Sequence, residues 1–119
     1  MLEGEIFMKI AVVGSRSITV GNIAEYVVGA DEIVSGGAVG VDRCAAEYAK
    51  ANGLILTEFL PEYSRYGRAA PIQRNQQIVD YADKVIAFWD GRSRGTRSVI
   101  AYAKKKGKVC VVVLCSGEN

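Results

Sequence analysis

The chain has 119 residues, 50% of them hydrophobic and 24% charged, which suits a single globular domain over residues 1–119 built on one core. Its 15 Lys and Arg against 13 Asp and Glu leave a net charge of +2, too weak to drive non-specific nucleic-acid binding. Histidine is absent, so histidine triads, histidine metal sites and imidazole acid–base chemistry are all excluded.

In chain order, residues 1–7 carry two glutamates and no basic stretch, which does not fit a signal peptide. Met8 is an alternative start, with residues 1–7 an N-terminal extension. Residues 9–13 read as a strand ending at Gly14. Residues 18–28 read as a helix with Ile23, Tyr26 and Val27 on one face and Gly29 as its stop. A second strand covers residues 32–35. The helix that opens at Gly40 has Val41, Cys44, Ala45 and Tyr48 at the spacing of a buried stripe, and Gly53 closes it.

Residues 54–60 form the third expected strand. A longer loop over residues 61–70 leads to Pro71 in the first turn of a helix that runs to Ala82. Residues 84–89 make a fourth strand without polar alternation, residues 96–106 a fourth helix stopped by Gly107, and residues 108–114 a fifth strand. Strands that are apolar on both sides and alternate with helices predict a three-layer α/β/α Rossmann-like sandwich with a five-stranded parallel sheet.

No apolar run is long enough to span a membrane. Cys44, Cys110 and Cys115 are odd in number and lie in no CxxC spacing, so they read as reduced core thiols, and a cytoplasmic location is expected. No metal site and no cofactor are predicted.

In a parallel sheet of this kind ligands bind beyond the carboxyl ends of the strands. Gly14, Gly36, Gly37, Gly40, Gly67, Gly91 and Gly95 all follow strands there. Tight turns alone could require them. The stretch Ser35-Gly36-Gly37-Ala38-Val39-Gly40 also aims backbone N–H groups and a helix dipole at whatever fills the loop, which suits an anion. It is neither a Walker loop nor a GxGxxG dinucleotide turn.

The two basic residue types separate along the sheet. Lys9, Lys84 and Lys108 begin strands, while Lys50, Lys104, Lys105 and Lys106 end helices, where the dipole favours positive charge. Arg16, Arg65, Arg68, Arg74, Arg92, Arg94 and Arg97 fall instead in loops or first helical turns at the carboxyl edge. Either they are solvated and paired with Glu58, Glu62 or Asp90, or a shared anion holds them. Guanidinium matches phosphate oxygens bidentately.

Asn75 falls in the middle of the sheet-facing arc of Ile72, Ile78, Val79 and Ala82, where it either caps a neighbouring loop or reaches a ligand. Asp42 and Asp90 face the same edge as candidate partners of ribose hydroxyls, or as catalytic carboxylates. Asp42 has a structural alternative, since the helix dipole favours it in a first turn. Tyr63, Tyr66 and Trp89 either stack on a base or pack.

Taken together, Val13-Gly14-Ser15-Arg16, Ser35-Gly36-Gly37-Ala38 with Gly40 and Asp42, Arg74-Asn75, and Asp90-Gly91 with Ser93, Gly95 and Thr96 resemble the SLOG superfamily. Its members include the DNA-processing DprA proteins, the LONELY GUY cytokinin-activating hydrolases and small stand-alone bacterial relatives, which this chain resembles most. The resemblance covers residues 9–114. It implies strand order 3-2-1-4-5 and the binding of nucleotides or nucleotide-derived molecules over the glycine loops.

In the hydrolases a GGxGTxxE loop supplies a glutamate for N-glycosidic cleavage. Here Gly95-Thr96 is followed by Arg97, Ser98 and Val99, and a valine can neither activate water nor stabilise an oxocarbenium ion. Nucleoside deoxyribosyltransferases, similar over residues 83–113, need a glutamate at the same position. Binding of a phosphorylated nucleoside is therefore the first expectation. Hydrolysis or transfer at an N-glycosidic bond, with Asp42, Asp90 or Glu62 in place of that glutamate, comes second. Binding of single-stranded DNA comes third. The fifth strand, unguarded by charge after Lys108, further predicts a homodimer.

Overall fold

A computed structural model describes residues 7–115, so the expected N-terminal extension lies, apart from Phe7, outside the described residues. Five parallel strands form one sheet: β1 (Lys9–Gly14), β2 (Glu32–Ser35), β3 (Ile55–Glu58), β4 (Lys84–Trp89) and β5 (Val109–Leu114). Their order is β3-β2-β1-β4-β5. This is the three-layer α/β Rossmann-like architecture that the alternation of elements predicts. No helix among the described residues is long and apolar enough to cross a membrane.

The uninterrupted apolar character of β1 and β4 follows from their central position, where both faces are covered. Because side chains alternate along a strand, Ile10 and Val12 of β1 with Ile86 and Phe88 of β4 point to one helical layer. That layer holds α1 (Ile23–Tyr26) and α2 (Val41–Ala51), which bury Ile23, Val41, Ala45 and Ala49. Ala11, Val13, Val85 and Ala87 point the other way, against α4 (Ala70–Tyr81) and α5 (Arg94–Lys105). Alanine at two of those four positions lets the helices sit close to the sheet.

Four expected elements are corrected. The helix expected over residues 18–28 shrinks to the single turn α1, because Ile18, Thr19 and Val20 are β-branched and Gly21 follows them. The segment instead turns at Ser15, whose carbonyl accepts from Ile18 N–H at 3.2 Å, and it still buries Ile18, Ile23 and Val27. β3 stops at Glu58, opposite Ser35 at the end of β2, rather than running to Leu60. The expected loop over residues 61–70 contains α3 (Tyr63–Tyr66) and a 3-10 turn (Gly67–Ala69). Pro71 does sit in the first turn of α4, where its missing N–H costs nothing.

α5 begins at Arg94, ahead of the expected Thr96, because Ser93 caps it: its hydroxyl oxygen accepts from Thr96 N–H at 3.4 Å. Cys44, Cys110 and Cys115 are free and half-buried.

Candidate functional site

The chain ends of β1, β2 and β4 open onto a cavity of about 440 Å³, walled on the far side by α4 and the first turn of α5. A volume in this range suits a small organic ligand. Its floor is apolar, made by Val13, Pro71, Ile78 and Val99. The rest of its lining is mostly polar, made by the loop after β1 (Gly14, Ser15, Arg16, Ser17), by Gly36, Ala38 and Asp42, by Arg74 and Asn75, and by Asp90, Ser93, Gly95 and Thr96.

Most of the residues expected at the site therefore meet in one place. Ser35, Gly37, Gly40 and Gly91 do not line it. Ser35 is fully buried beneath the loop and its hydroxyl oxygen accepts from Gly37 N–H at 3.3 Å. Gly37 faces Leu60. Gly91 faces Leu114 instead of the cavity.

Gly40 has φ 73° and ψ −125°, a combination closed to residues with a side chain, and a Cβ there would drive into the backbone carbonyl of Arg16. The loops after β1 and β2 are thus pressed together through Gly40. Gly36 is needed for a different reason: a Cβ on it would lie 2.8 Å from Arg74 Nη1 and 3.0 Å from Asp42 Oδ2. The bare α-carbon lets both side chains close over the loop.

Arg74 is anchored rather than free. Its Nη1 donates to the carbonyls of Gly36 at 2.7 Å and Phe59 at 3.4 Å, and its Nε donates to Asn75 Oδ1 at 2.9 Å. Asn75 in turn donates from Nδ2 to the Ser98 hydroxyl at 3.3 Å. Hydrogen bonds to charged groups are worth more than neutral ones, so swinging Arg74 onto a ligand would forfeit about 2 kcal/mol. Only Nη2 lacks a partner among the described residues, which permits a single contact and not a bidentate fork.

The convergence of arginines is narrower than their sequence positions suggest. Only Arg16 and Arg74 line the cavity. Arg65 pairs with Glu62 at 3.8 Å and lies over the Tyr66 ring, and Arg97 folds back over Trp89. Arg68, Arg92 and Arg94 are exposed outside it. A residue's place at the sheet edge fixes its Cα and not its side-chain direction, and a neighbouring ring or carboxylate takes the guanidinium groups of Arg65 and Arg97 first. Arg16 is exposed and has no hydrogen bond or ion pair among the described residues.

Tyr63, Tyr66 and Trp89 line no part of the cavity either. The Trp89 indole N–H donates to the Ser93 carbonyl at 3.0 Å, so it braces the turn into α5. Glu62 is likewise outside.

Two carboxylates remain in the polar lining, in different states. Asp42 is 7% exposed, and its Oδ2 accepts from Ala38 N–H at 3.1 Å. Burial pushes its carboxyl above the ordinary value of 3.8, against the opposing pull of the Ala38 N–H, the Arg74 guanidinium and the Gly36 N–H. Asp90 is held below its ordinary value by the Ser93 and Arg92 N–H groups, both donating to Oδ1 at 2.8 Å. It serves its own turn. Among the described residues no cluster of His, Cys, Asp or Glu could hold a metal ion.

At the opposite wall, Ser93 Oγ serves Thr96 N–H, and Arg97 N–H reaches the Ser93 carbonyl. The Arg94 and Gly95 N–H groups, in the first turn of a 12-residue helix, have no intrahelical acceptor.

The resemblance singles out Val13 and Val99, but the place of Ile78 in the apolar floor escapes sequence reasoning. Ile78 has the periodicity of a core residue, and only the packing of α4 and α5 beyond the end of β1 turns it into a cavity wall. No protein-family model matches the sequence, and no curated protein matches it either.

Proposed function

We propose that this cavity binds a phosphorylated nucleoside or a related nucleotide-derived small molecule, and that the protein acts as a sensor, carrier or regulator. The observation that carries this reading is one cavity lined by an apolar set and a polar set of residues, with Arg16 and the start of α5 among the polar set. Free helix-start amides favour negative charge, and an uncommitted guanidinium beside them favours it further. The resemblance of the glycine loops to the SLOG superfamily points the same way. The floor of Val13, Ile78 and Val99 would take the base or sugar face by apolar contact.

A thermal-shift panel of nucleoside monophosphates and their unphosphorylated nucleosides tests it. A ligand at a hundred times its Kd adds about 2.7 kcal/mol of stability. The reading expects shifts with phosphorylated members and none with neutral ones; shifts with neutral members alone would overturn the phosphate assignment.

A second reading, N-glycosidic hydrolysis of a nucleoside 5′-monophosphate, is favoured by Asp42, a buried carboxyl at the cavity wall whose pKa is displaced toward that of a general acid. Val99 stands in the wall where the related hydrolases carry glutamate, so Asp42 would have to supply the proton. Release of free base that Asp42→Asn abolishes and Lys105→Ala leaves intact supports hydrolysis. Turnover that survives Asp42→Asn removes this role.

A further inference from the structure

The two edges of the sheet are built differently. β3 has four residues and ends on the exposed carboxylate of Glu58. β5 has six, Val-Cys-Val-Val-Val-Leu, with no charge and no proline to guard it. Its side chains stand in solvent on both faces of the sheet: Val109 is 60% exposed, Val111 38%, Val112 43% and Leu114 71%. Pairing with β4 on one side leaves a row of outward N–H and C=O groups without a ladder partner among the described residues.

An alternating row of backbone donors and acceptors is matched by another strand, and no helix or small molecule supplies that pattern. The identity of the strand follows from closure. If β3 of another copy paired with β5, each new copy would expose the same edge again and the assembly would grow without limit. β5 pairing with itself about a two-fold axis consumes both edges and stops.

We propose that β5 pairs antiparallel with β5 of a second copy, about a two-fold axis at Val112, joining two five-stranded sheets into one. Opposed residues of an antiparallel pair must point to the same face, so the axis passes through a residue position. Centred on Val112, the ladder sets Val111 against the partner subunit's Val113, Cys110 against the partner subunit's Leu114, and Val109 against the partner subunit's Cys115. Every position is apolar. Centred on Val111 it would set Lys108 against the partner subunit's Leu114, which leaves a charge at the end of the ladder. An added Cβ on Gly91 would meet Leu114 Cδ1 at 3.7 Å, so the interface reaches the turn after Asp90. The pairing does not depend on what fills the cavity.

Light scattering on the full chain at micromolar concentration tests it. The wild type is expected at twice 12.8 kDa, Val112→Lys at 12.8 kDa with unchanged far-UV circular dichroism, and Ile55→Lys, on the β3 edge, at the dimer mass. Hydrogen exchange on the wild type decides the matter even if Val112→Lys fails to fold: the outward amides of β5 should be protected while those of β3 exchange. A wild-type monomer, a mass that climbs past two copies, dissociation by Ile55→Lys, or β5 amides that exchange as fast as those of β3 would each overturn the proposal.

Discussion

Two loops at the carboxyl edge of the sheet are each braced by an aspartate of their own, yet the two carboxyls are displaced in opposite directions. Asp42 accepts from Ala38 N–H inside the loop after β2, and Asp90 accepts from Arg92 and Ser93 N–H inside the loop after β4. The hydrogen bonds are alike; the surroundings are not. Asp42 is shut between Gly36, Arg74 and the first turn of α2, where desolvation outweighs its donors. Asp90 stays wet enough for its two donors to prevail. A carboxylate that only braces a turn is best left in water, so the burial of Asp42 at a cavity wall is what sets the two aspartates apart.

The largest effect expected from perturbing these loops is at Gly40. Gly40→Ala combines a forbidden backbone conformation with a collision against the Arg16 carbonyl, and should cost about 3 kcal/mol or more, read as a lower midpoint in urea with an unchanged slope. The corresponding change in the first turn of α5, Gly95→Ala, meets nothing within 4 Å and should leave stability unchanged or raise it by up to about 1 kcal/mol.

Next in size is the contrast between the two cavity arginines. Arg74→Ala strands the acceptors at Gly36, Phe59 and Asn75 and should destabilise the fold by about 2 kcal/mol. Arg16→Ala removes an exposed side chain and should change stability by less than about 0.5 kcal/mol, while weakening a phosphorylated ligand about tenfold or more by calorimetric titration. Equal losses of stability in the two variants would erase the distinction between anchor and reader.

The two aspartates should respond to pH with opposite signs. The folded state holds the Asp42 proton more tightly than the unfolded chain does, so wild-type stability gains as pH falls through the raised folded value toward 3.8. Asp42→Asn should accordingly raise the Tm at pH 7, with an advantage that fades on acidification. Asp90 gives stability that is present above 3.8 and lost as pH falls through its lowered folded value. Asp90→Asn should lower the Tm slightly at pH 7 and converge with the wild type in acid. Melting curves of both variants from pH 7 to acid measure the two slopes directly.

Much of this layout is legible in the sequence. The unbroken apolar runs of β1 and β4 mark central strands, and the lysines that begin strands and end helices identify one end of the sheet as structural. Lys9 lies over the Tyr81 ring and Lys108 donates to the Ala82 carbonyl, both at that end. Asn75, polar in an apolar arc, lies in the cavity wall with its carboxamide held between Arg74 Nε and the Ser98 hydroxyl. Ile72, placed in the same arc, is 52% exposed, while Ala70 at the start of the helix is fully buried, so the buried stripe of α4 passes beside Ile72. The arginines misled for a related reason: a loop position says where a guanidinium starts and not whether Glu62, Tyr66 or Trp89 intercepts it. Ile78 reads as core in any helical wheel, and only three-dimensional packing shows the space beside it.

The most direct test of the cavity as a phosphate-bearing ligand's site is an amide chemical-shift map on adding the nucleotide that gives the largest thermal shift. The account predicts the strongest changes in the loop after β1, at Gly36 and Ala38, and at Gly95 and Thr96. Changes centred on the lysines at positions 104–108, at the opposite end of the sheet, with the cavity amides unmoved, would contradict it.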